Sequence, residues 1–412
     1  MGRAKRVLVS EGSSLSSREI ITALGVAGHK VGVCDSNAIC LGRFSRFVTH
    51  FYRCPRFGED PWTYMDFVIQ IAAGGGWDVL FPAHEQAFLF SREKARIPPG
   101  IALAVADFRS FLEVQGKVSL VKTLARVSLP QPAWRVVRTK EELESESRFP
   151  FHLKADFTTA SKAVWRINNG EDLRKKSSEL SSQGLLDGNE EFVIQEHVEG
   201  RLERVLAVFD RGGLVAMHGY RQLREGPGGG DIAKVSVFRP EVRRYMERLG
   251  EQLEWHGALS TDYICRSDGE RPLFIDANPR LVEPMNAVLS GVNLADILVR
   301  VSMREPVPAG GPAVEEVRTH LLLMALLAAA AGRRRRLDVL REIVRVIRGH
   351  GIYAESREEL LPLLTDFRGA VPLAYAVVRL LARPASSAAL SAGSIASYSL
   401  SAAAARQIAR VG

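Results

Sequence analysis

The sequence predicts a mixed α/β and α+β architecture with a helical C-terminal part, and three patterns carry that expectation. Short apolar runs alternate with helical periodicity up to about residue 110. From Phe151 to Asn278 apolar runs instead follow one another through Gly-rich or charged turns, as in antiparallel hairpins. Beyond Pro306, Pro308 and Pro312 the chain is helical in character. With 412 residues and 46% hydrophobic content it is long enough for two to four globular domains.

Taken in order, Arg6 to Ser10 is a short apolar strand. The turn Glu11-Gly12-Ser13-Ser14-Leu15-Ser16-Ser17-Arg18 leads into a helix from about Glu19 to Gly28, and Lys30 to Cys34 is the next strand. Asp35 imitates the ribose-binding acid of a dinucleotide fold, which makes a nicotinamide-dependent oxidoreductase one reading. The glycine fingerprint G-x-G-x-x-G is absent, however, and only Gly12 lies in the turn. Ser13 and Ser14 either cap the helix or present free N–H groups to a substrate carboxylate or phosphate. Phe44 to Tyr52, a helix from about Trp62 to Ala73 and a strand from Trp77 to Phe81 continue the alternation. His84 and Glu85 then fall beyond a strand end, where open parallel sheets bind ligands, although a solvated loop acid is the simpler explanation of Glu85.

Gln115-Gly116-Lys117 opens a helix that runs to about Arg126. Phe151 to Ala155 is an apolar strand holding Lys154, and a buried ammonium requires something anionic opposite it. The loop from Asp156 to Val164 is rich in hydroxyls, Ser161 among them, and contains no glycine. Glu191 to Gly200 is a strand that leaves through a Gly turn and carries Glu196, His197 and Val198. Leu202 to Phe209 and Leu214 to Tyr220 form a hairpin, followed by Arg221 and the run Gly226-Pro227-Gly228-Gly229-Gly230.

The densest chemistry lies between Trp255 and Gly291. Ala258 to Cys265 and Pro272 to Ile275 read as two strands, and a five-residue turn over 267 to 271 sets Asp262 opposite Asp276, with Asn278 on the same face. Like charges facing each other across a sheet destabilise it unless a positive group lies between them. Two carboxylates and an amide carbonyl are hard oxygen ligands suited to Mg²⁺ or Mn²⁺. Arg280 follows, placed to stabilise a transferring phosphoryl group. A surface hairpin with its acids in water is the competing explanation.

Gly257-Ala258-Leu259-Ser260-Thr261-Asp262-Tyr263 and Phe274-Ile275-Asp276-Ala277-Asn278-Pro279-Arg280 resemble the metal-binding end of the ATP-grasp superfamily, in its carbamoyl-phosphate-synthetase-like and biotin-carboxylase-like branch. The resemblance spans residues 1 to about 305. It implies that Asp262, Asp276 and Asn278 hold one or two Mg²⁺ ions and that Arg280 and Arg221 are catalytic. It also implies that Lys117, Lys154, Ser161, Glu196, His197, Val198 and Glu203 bind ATP. The family usually has Glu at both acidic positions and glycines in the phosphate loop, and this chain departs from it in both respects. The implied organisation is a Rossmann-like pre-ATP-grasp domain over 1–112, two ATP-grasp subdomains over 113–190 and 191–308, and a helical extension over 309–412. The implied activity is that of a carboxylate-amine ligase: ATP activates a small-molecule carboxylate as an acyl phosphate, which an amine then attacks. A nucleotide-binding module without turnover is the alternative within the same fold.

Composition narrows the remaining classes. The net charge of +8 is uneven, with Arg333-Arg334-Arg335-Arg336 supplying part of the C-terminal excess, and no aromatic-interleaved basic motif suggests nucleic acid. Cys34, Cys40, Cys54 and Cys265 form no C-x-x-C pair and fit buried thiols in a reducing cytoplasm. Met1 to Lys30 lacks a signal architecture, and a cytoplasmic enzyme is expected. Leu321 to Ala331 is a run of eleven apolar residues, consistent with peripheral contact to an anionic membrane or with a helix packed on the enzyme or on a dimer partner.

Overall fold

The computed structural model describes residues 3–156, 163–266, 271–308, 313–333, 335–360 and 366–410. The first sheet forms from β1 (Arg6–Val9), α1 (Leu15–Val26), β2 (Lys30–Asp35), β3 (Val48–Arg53), α2 (Pro61–Gly74), β4 (Val79–Phe81) and α3 (Gln86–Arg92). Its strands are all parallel, in the order β3-β2-β1-β4. β1 and β4 are apolar and buried because helices and a second sheet cover them, as a parallel sheet requires. α1 begins four residues before the expected start, because the Ser14 hydroxyl accepts the Ser17 amide at 3.0 Å and caps the first turn there. Asp60 caps α2 in the same way, ahead of Pro61 at the first helical position.

α4 (Phe108–Gln115) and α5 (Lys117–Arg126) connect to a four-stranded sheet made from β5 (Trp134–Thr139), β6 (Phe151–Ala155), β7 (Val164–Ile167) and β8 (Asp187–Glu196), ordered β5-β8-β6-β7. α6 (Lys140–Glu144) and α7 (Gly170–Ser182) cover one face of it, enclosing Val137, Leu153, Leu173 and Ile194 in a core of their own.

Among the described residues the central sheet has seven strands in the order β13-β12-β9-β10-β11-β14-β15, the last being Arg357–Glu358. It is built from β9 (Arg201–Asp210), β10 (Gly213–Glu225), β11 (Asp231–Val237), α8 (Pro240–Gln252), β12 (Gly257–Cys265), β13 (Leu273–Asn278), α9 (Met285–Leu289), α10 (Leu294–Met303) and β14 (Arg318–His320). The long strands alternate in side-chain direction, so Val205, Leu259, Tyr263 and Phe274 join one core while Leu206, Val208 and Tyr220 join another with Val7, Val31 and Val79 of the first sheet. Gly257 adopts φ +104, and a Cβ there would lie 2.6 Å from the Ala104 carbonyl oxygen, so only glycine lets β12 start against this segment.

The C-terminal part comprises α11 (Leu322–Arg333), α12 (Arg336–Ile347), β15 (Arg357–Glu358), α13 (Ala370–Ala382), α14 (Ser387–Tyr398) and α15 (Ala402–Arg410). The apolar run forms a core in which Leu323, Leu326 and Leu327 are buried with Val339, Leu373 and Leu380. That run therefore packs inside the protein instead of facing lipid, and no described helix is long and apolar enough to cross a membrane. The expectation of membrane contact through this segment is corrected accordingly. A buried ion pair ties the region to α1: Arg18 Nη2 donates to Asp366 Oδ2 at 2.9 Å, and Asp366 also accepts the Arg46 amide at 2.8 Å. Removing one member of such a pair strands a buried charge. Asp366→Ala is expected to lower the free energy of unfolding by about 3–5 kcal/mol, read from the denaturant midpoint.

Candidate active site

β12 and β13 pair in the register the sequence suggests, with Asp262 opposite Asp276 and Ser260 opposite Asn278. β9 lies on the other side of β12 and sets Arg204 beside Asp262, and β10 sets Tyr220 beside Arg204. One row across one face of the sheet thus reads Asp276, Asp262, Arg204, Tyr220. The two facing acids are neutralised from different directions. Lys117, at the first position of α5, pairs with Asp276. Lys154, buried on β6, donates to the Ile275 carbonyl at 2.8 Å. Arg204 Nε donates to Asp262 at 3.2 Å, while its Nη1 reaches Asp231 at 2.6 Å.

These surroundings separate the two carboxyl groups. Burial raises the pKa of Asp262 and the charge of Asp276 adds to it, with Arg204 opposing. Burial also pushes Asp276 upward, but Lys117 and Lys154 outweigh it and hold that carboxyl below its usual range. Burial pushes the Lys154 ammonium down to about 8, with Asp276 pulling the other way. Two carboxylates and the Asn278 amide on one face fit a hard divalent cation. Lys117, Lys154 and Arg204 neutralise the acids now and leave a cationic rim suited to phosphate oxygens.

Arg280 follows β13 and is positioned by backbone contacts: its carbonyl accepts the Ser260 hydroxyl at 2.7 Å and its amide donates to the Asn278 carbonyl at 2.7 Å. Its Nε is buried with no hydrogen-bond partner among the described residues. Deeper on the same face of the sheet, Lys234 is fully buried between Glu283 at 2.8 Å and Glu359 at 2.9 Å, with the Tyr220 ring beneath its ammonium. Arg204 and Lys234 were not evident from the sequence. Each is a basic residue adjoining an apolar stretch of strand, and only the strand order shows which groups it meets.

Several expected residues lie elsewhere. Arg221 sits on the opposite face of the sheet from the acid pair, where its Nε donates to Glu203 at 2.9 Å. Glu203 is fully buried and also accepts Arg239 at 2.8 Å and the Tyr263 hydroxyl at 3.1 Å, so it has no capacity left for a ribose. The side-chain alternation of β9 and β10 accounts for both corrections. The amides of Glu196 and His197 are already spent on the carbonyls of Ala133 and Pro150, while Val198 is buried. The side chains of Glu196 and His197 line a hollow of about 240 Å³ with Trp134 and Phe149. Ser161 lies outside the described residues.

At the first sheet the amides of Ser13 and Ser14 are not free. Glu11 accepts them at 2.6 and 3.0 Å, so the chain's own carboxylate holds the anion position at the start of α1. Burial, with Asp35 nearby, raises that carboxyl to about 7. Asp35 accepts the Gly12 and Asn37 amides at 2.8 and 2.7 Å and closes its own turn, which removes the ribose contact of the nicotinamide reading. Glu85 is buried at the end of β4, with the Leu400 amide on its Oε2. A separate cleft of about 1150 Å³ lies apart from all of these, lined by Asp210, Arg211, Glu254, His256 and Arg304.

Against known proteins, no family profile matches the chain. Acetyl-CoA carboxylase 1 of Arabidopsis thaliana is 25% identical over 201 residues, covering 44% of this chain and 8% of that protein. This chain therefore spans only a small part of the curated relatives it matches. The biotin carboxylase domain of 2-oxoglutarate carboxylase from Hydrogenobacter thermophilus, crystallised with MgADP, ADP and bicarbonate, superposes with a TM-score of 0.59. It is 14% identical and covers 77% of this chain and 73% of its own. An N5-carboxyaminoimidazole ribonucleotide synthetase bound to ADP gives a TM-score of 0.63 at 14% identity over 84% of this chain and 87% of its own. An L-amino acid ligase from Bacillus licheniformis gives 0.58 at 15% over 78% and 81%. These likenesses show the fold of the chain. Its form is the one these biotin carboxylases, ribonucleotide synthetases and amino acid ligases share.

Two outcomes test the assignments made from strand parity and burial. Glu203→Gln is expected to cost about 3 kcal/mol of stability, since it weakens two buried guanidinium contacts, yet to leave the dissociation constant for MgADP within twofold by calorimetry. Glu11 carries a folded-state pKa above that of the unfolded chain, so its contribution is complete below about pH 4.5 and is lost as pH rises through about 7. Glu11→Gln is therefore expected to flatten the fall in melting temperature between about pH 4.5 and 7.

Proposed function

We propose that the protein is an ATP- and Mg²⁺-dependent ligase that activates a small-molecule carboxylate as an acyl phosphate for attack by an amine. The observation that carries this reading is the facing pair Asp262 and Asp276, with Lys117, Lys154 and Arg204 converging on it from three elements. The comparisons support it, since proteins of this fold crystallise with ADP, ATP or MgADP and carry names that denote carboxylation or ligation.

In this mechanism Asp262, Asp276 and Asn278 are the residues that would hold Mg²⁺, which when bound would neutralise charge on the phosphates. Lys117 and Lys154 exchange their contacts with Asp276 and Ile275 for phosphate oxygens, which the cationic rim orients in line with the incoming acid. A substrate carboxylate oxygen attacks the γ-phosphorus. The bond from that phosphorus to the β–γ bridging oxygen breaks, and ADP leaves with the electron pair. Arg280 stabilises the charge that spreads over the transferring group. The amine nitrogen then attacks the acyl carbon, phosphate departs and the nitrogen loses a proton. No side chain becomes covalently attached.

Nucleotide binding without turnover is the second reading. The observation favouring it is the engagement of Asp262 by Arg204, which competes with a metal for that carboxylate. Release of ADP and phosphate from MgATP in the presence of pooled carboxylic acids and amines separates the two: product formation supports the ligase, and tight binding without product supports the module.

Asp276→Ala is expected to abolish Mg²⁺-dependent nucleotide binding, and an unchanged affinity for MgADP in calorimetry would remove the acid pair from the site. The Lys154 ammonium is the form that meets phosphate, and in the free protein it loses its proton near pH 8. Affinity for MgADP should therefore weaken as pH rises from 7.5 to 9, approaching tenfold per pH unit above about 8. Lys154→Arg should show no such slope.

A further inference from the structure

α12 leaves one apolar edge uncovered. Its inner face is fixed, since Val339 is buried in the C-terminal core and the buried Glu342 accepts Arg224 Nη1 at 2.7 Å. The outer side cannot turn inward as well, so Leu337, Leu340, Val344 and Ile347 stand in solvent, Ile347 with 78% of its surface exposed. α13 packs beside α12 and repeats the pattern with Val371, Tyr375 and Val378. Of the thirteen large apolar side chains exposed among the described residues, eight lie between 337 and 378. Such residues scattered singly need no explanation, but a cluster of them marks a surface that meets something. This face shares no residue with the acid-pair site.

The spacing defines the surface. Steps of three, four and three residues separate Leu337, Leu340, Val344 and Ile347, and steps of four and three separate Val371, Tyr375 and Val378. These are the a and d intervals of a coiled-coil seam, a stripe narrower than the broad apolar face by which a helix lies in a bilayer. With Leu337 and Val344 at a and Leu340 and Ile347 at d, Arg341 and Arg348 occupy e positions and Arg336 a g position. Those are the positions whose charge selects a partner helix. On α13, with Val371 and Val378 at d, Arg379 likewise falls at e.

Helix stability does not account for these arginines. Arg335 and Arg336 stand at the start of α12, where the helix dipole disfavours positive charge, and Arg335 makes no side-chain capping bond. Arg336 Nη2 donates to the Ala382 carbonyl at 3.0 Å and ties the start of α12 to the end of α13. Arg341 meets Asp338 at 3.3 Å and Arg345 meets Glu342 at 3.4 Å, both guanidinium groups being largely exposed. Exposed pairs of this kind contribute little and exchange readily for other carboxylates.

We propose that α12, with α13 beside it, is the docking face for an acidic amphipathic helix of another protein, whose apolar a and d residues close on the seam and whose carboxylates meet Arg336, Arg341 and Arg348. A second copy of this chain is the poorer occupant, because two such seams face to face set arginine against arginine. An anionic bilayer satisfies the charge but makes no use of heptad spacing.

The probes are two synthetic peptides of four heptads with Leu at a and d, one carrying Glu and the other Lys at e and g, titrated into the full chain by calorimetry. The Glu peptide is expected to bind roughly tenfold or more tightly than the Lys peptide at about 0.1 M salt, and the gap should narrow at about 0.5 M as the charges are screened. Leu340→Ser combined with Ile347→Ser should weaken the Glu peptide by roughly tenfold or more. Both side chains are exposed, so the melting temperature should hold, and Val26→Ser, at an exposed apolar residue of α1, should leave the dissociation constant within about twofold. Arg341→Glu combined with Arg348→Glu should reverse the preference in favour of the Lys peptide. Equal affinity for the two peptides, no binding of the Glu peptide, or binding indifferent to the paired serines overturns the proposal. Dimerisation of the chain in sedimentation that the paired serines abolish overturns it in favour of a second copy. Cosedimentation with vesicles of phosphatidylcholine and phosphatidylglycerol, without binding of the Glu peptide, overturns it in favour of a membrane surface.

Discussion

Two carboxylates held opposite each other on neighbouring strands are the constraint around which this protein is built. Such a pair is unfavourable unless cations meet it, and here three separate elements supply them. Lys117 comes from the start of α5, Lys154 from the four-stranded sheet, and Arg204 from the next strand of the same sheet as Asp262. The relative placement of the two sheets and of α5 therefore depends on the same charges that the proposed function assigns to nucleotide and metal. An exchange of partners, with phosphate replacing carboxylate on the lysines, would bind ligand without exposing any of these groups unpaired.

The polar chemistry occupies one face of the central sheet, and the opposite face carries a separate polar hub. Glu203, Arg221, Arg239 and Tyr263 form that hub, closed upon itself within the core beneath the sheet. Adjacent residues on β9 and β10 thus have unrelated tasks: Glu203 and Arg221 secure the fold, while Arg204 and Tyr220 face the site. Adjacency in sequence misleads here because the strand period is two.

The C-terminal part does more than pack against the rest. Asp366 closes a buried ion pair with α1, Glu359 meets Lys234, and the segment ending at Leu400 lies on Glu85. All three contacts converge on the side of the molecule where β1 and β4 end. The first sheet has no glycine-rich phosphate cradle there. It has a loop whose amides are saturated by Glu11 and Asp35, and residues from the last quarter of the chain complete its surface.

Much of the site was legible in the sequence because a β-ribbon with a short turn has a computable register. The opposition of Asp262 and Asp276, with Asn278 on the same face, follows from strand alternation and turn length alone, as does the need for a buried lysine on β6 to find a partner. The parallel order of the first strands was equally plain from apolar runs separated by helices. Tertiary structure alone decided which cations join the acids. Sequence does not specify which strands become neighbours in a seven-stranded sheet, and that order places Arg204 beside Asp262. It likewise decided that Glu203 is saturated, that Glu11 fills the N-terminal anion position of α1, and that an apolar run near the C-terminus lies within a core. Each of these depends on contacts between residues tens to hundreds of positions apart, which local periodicity cannot encode.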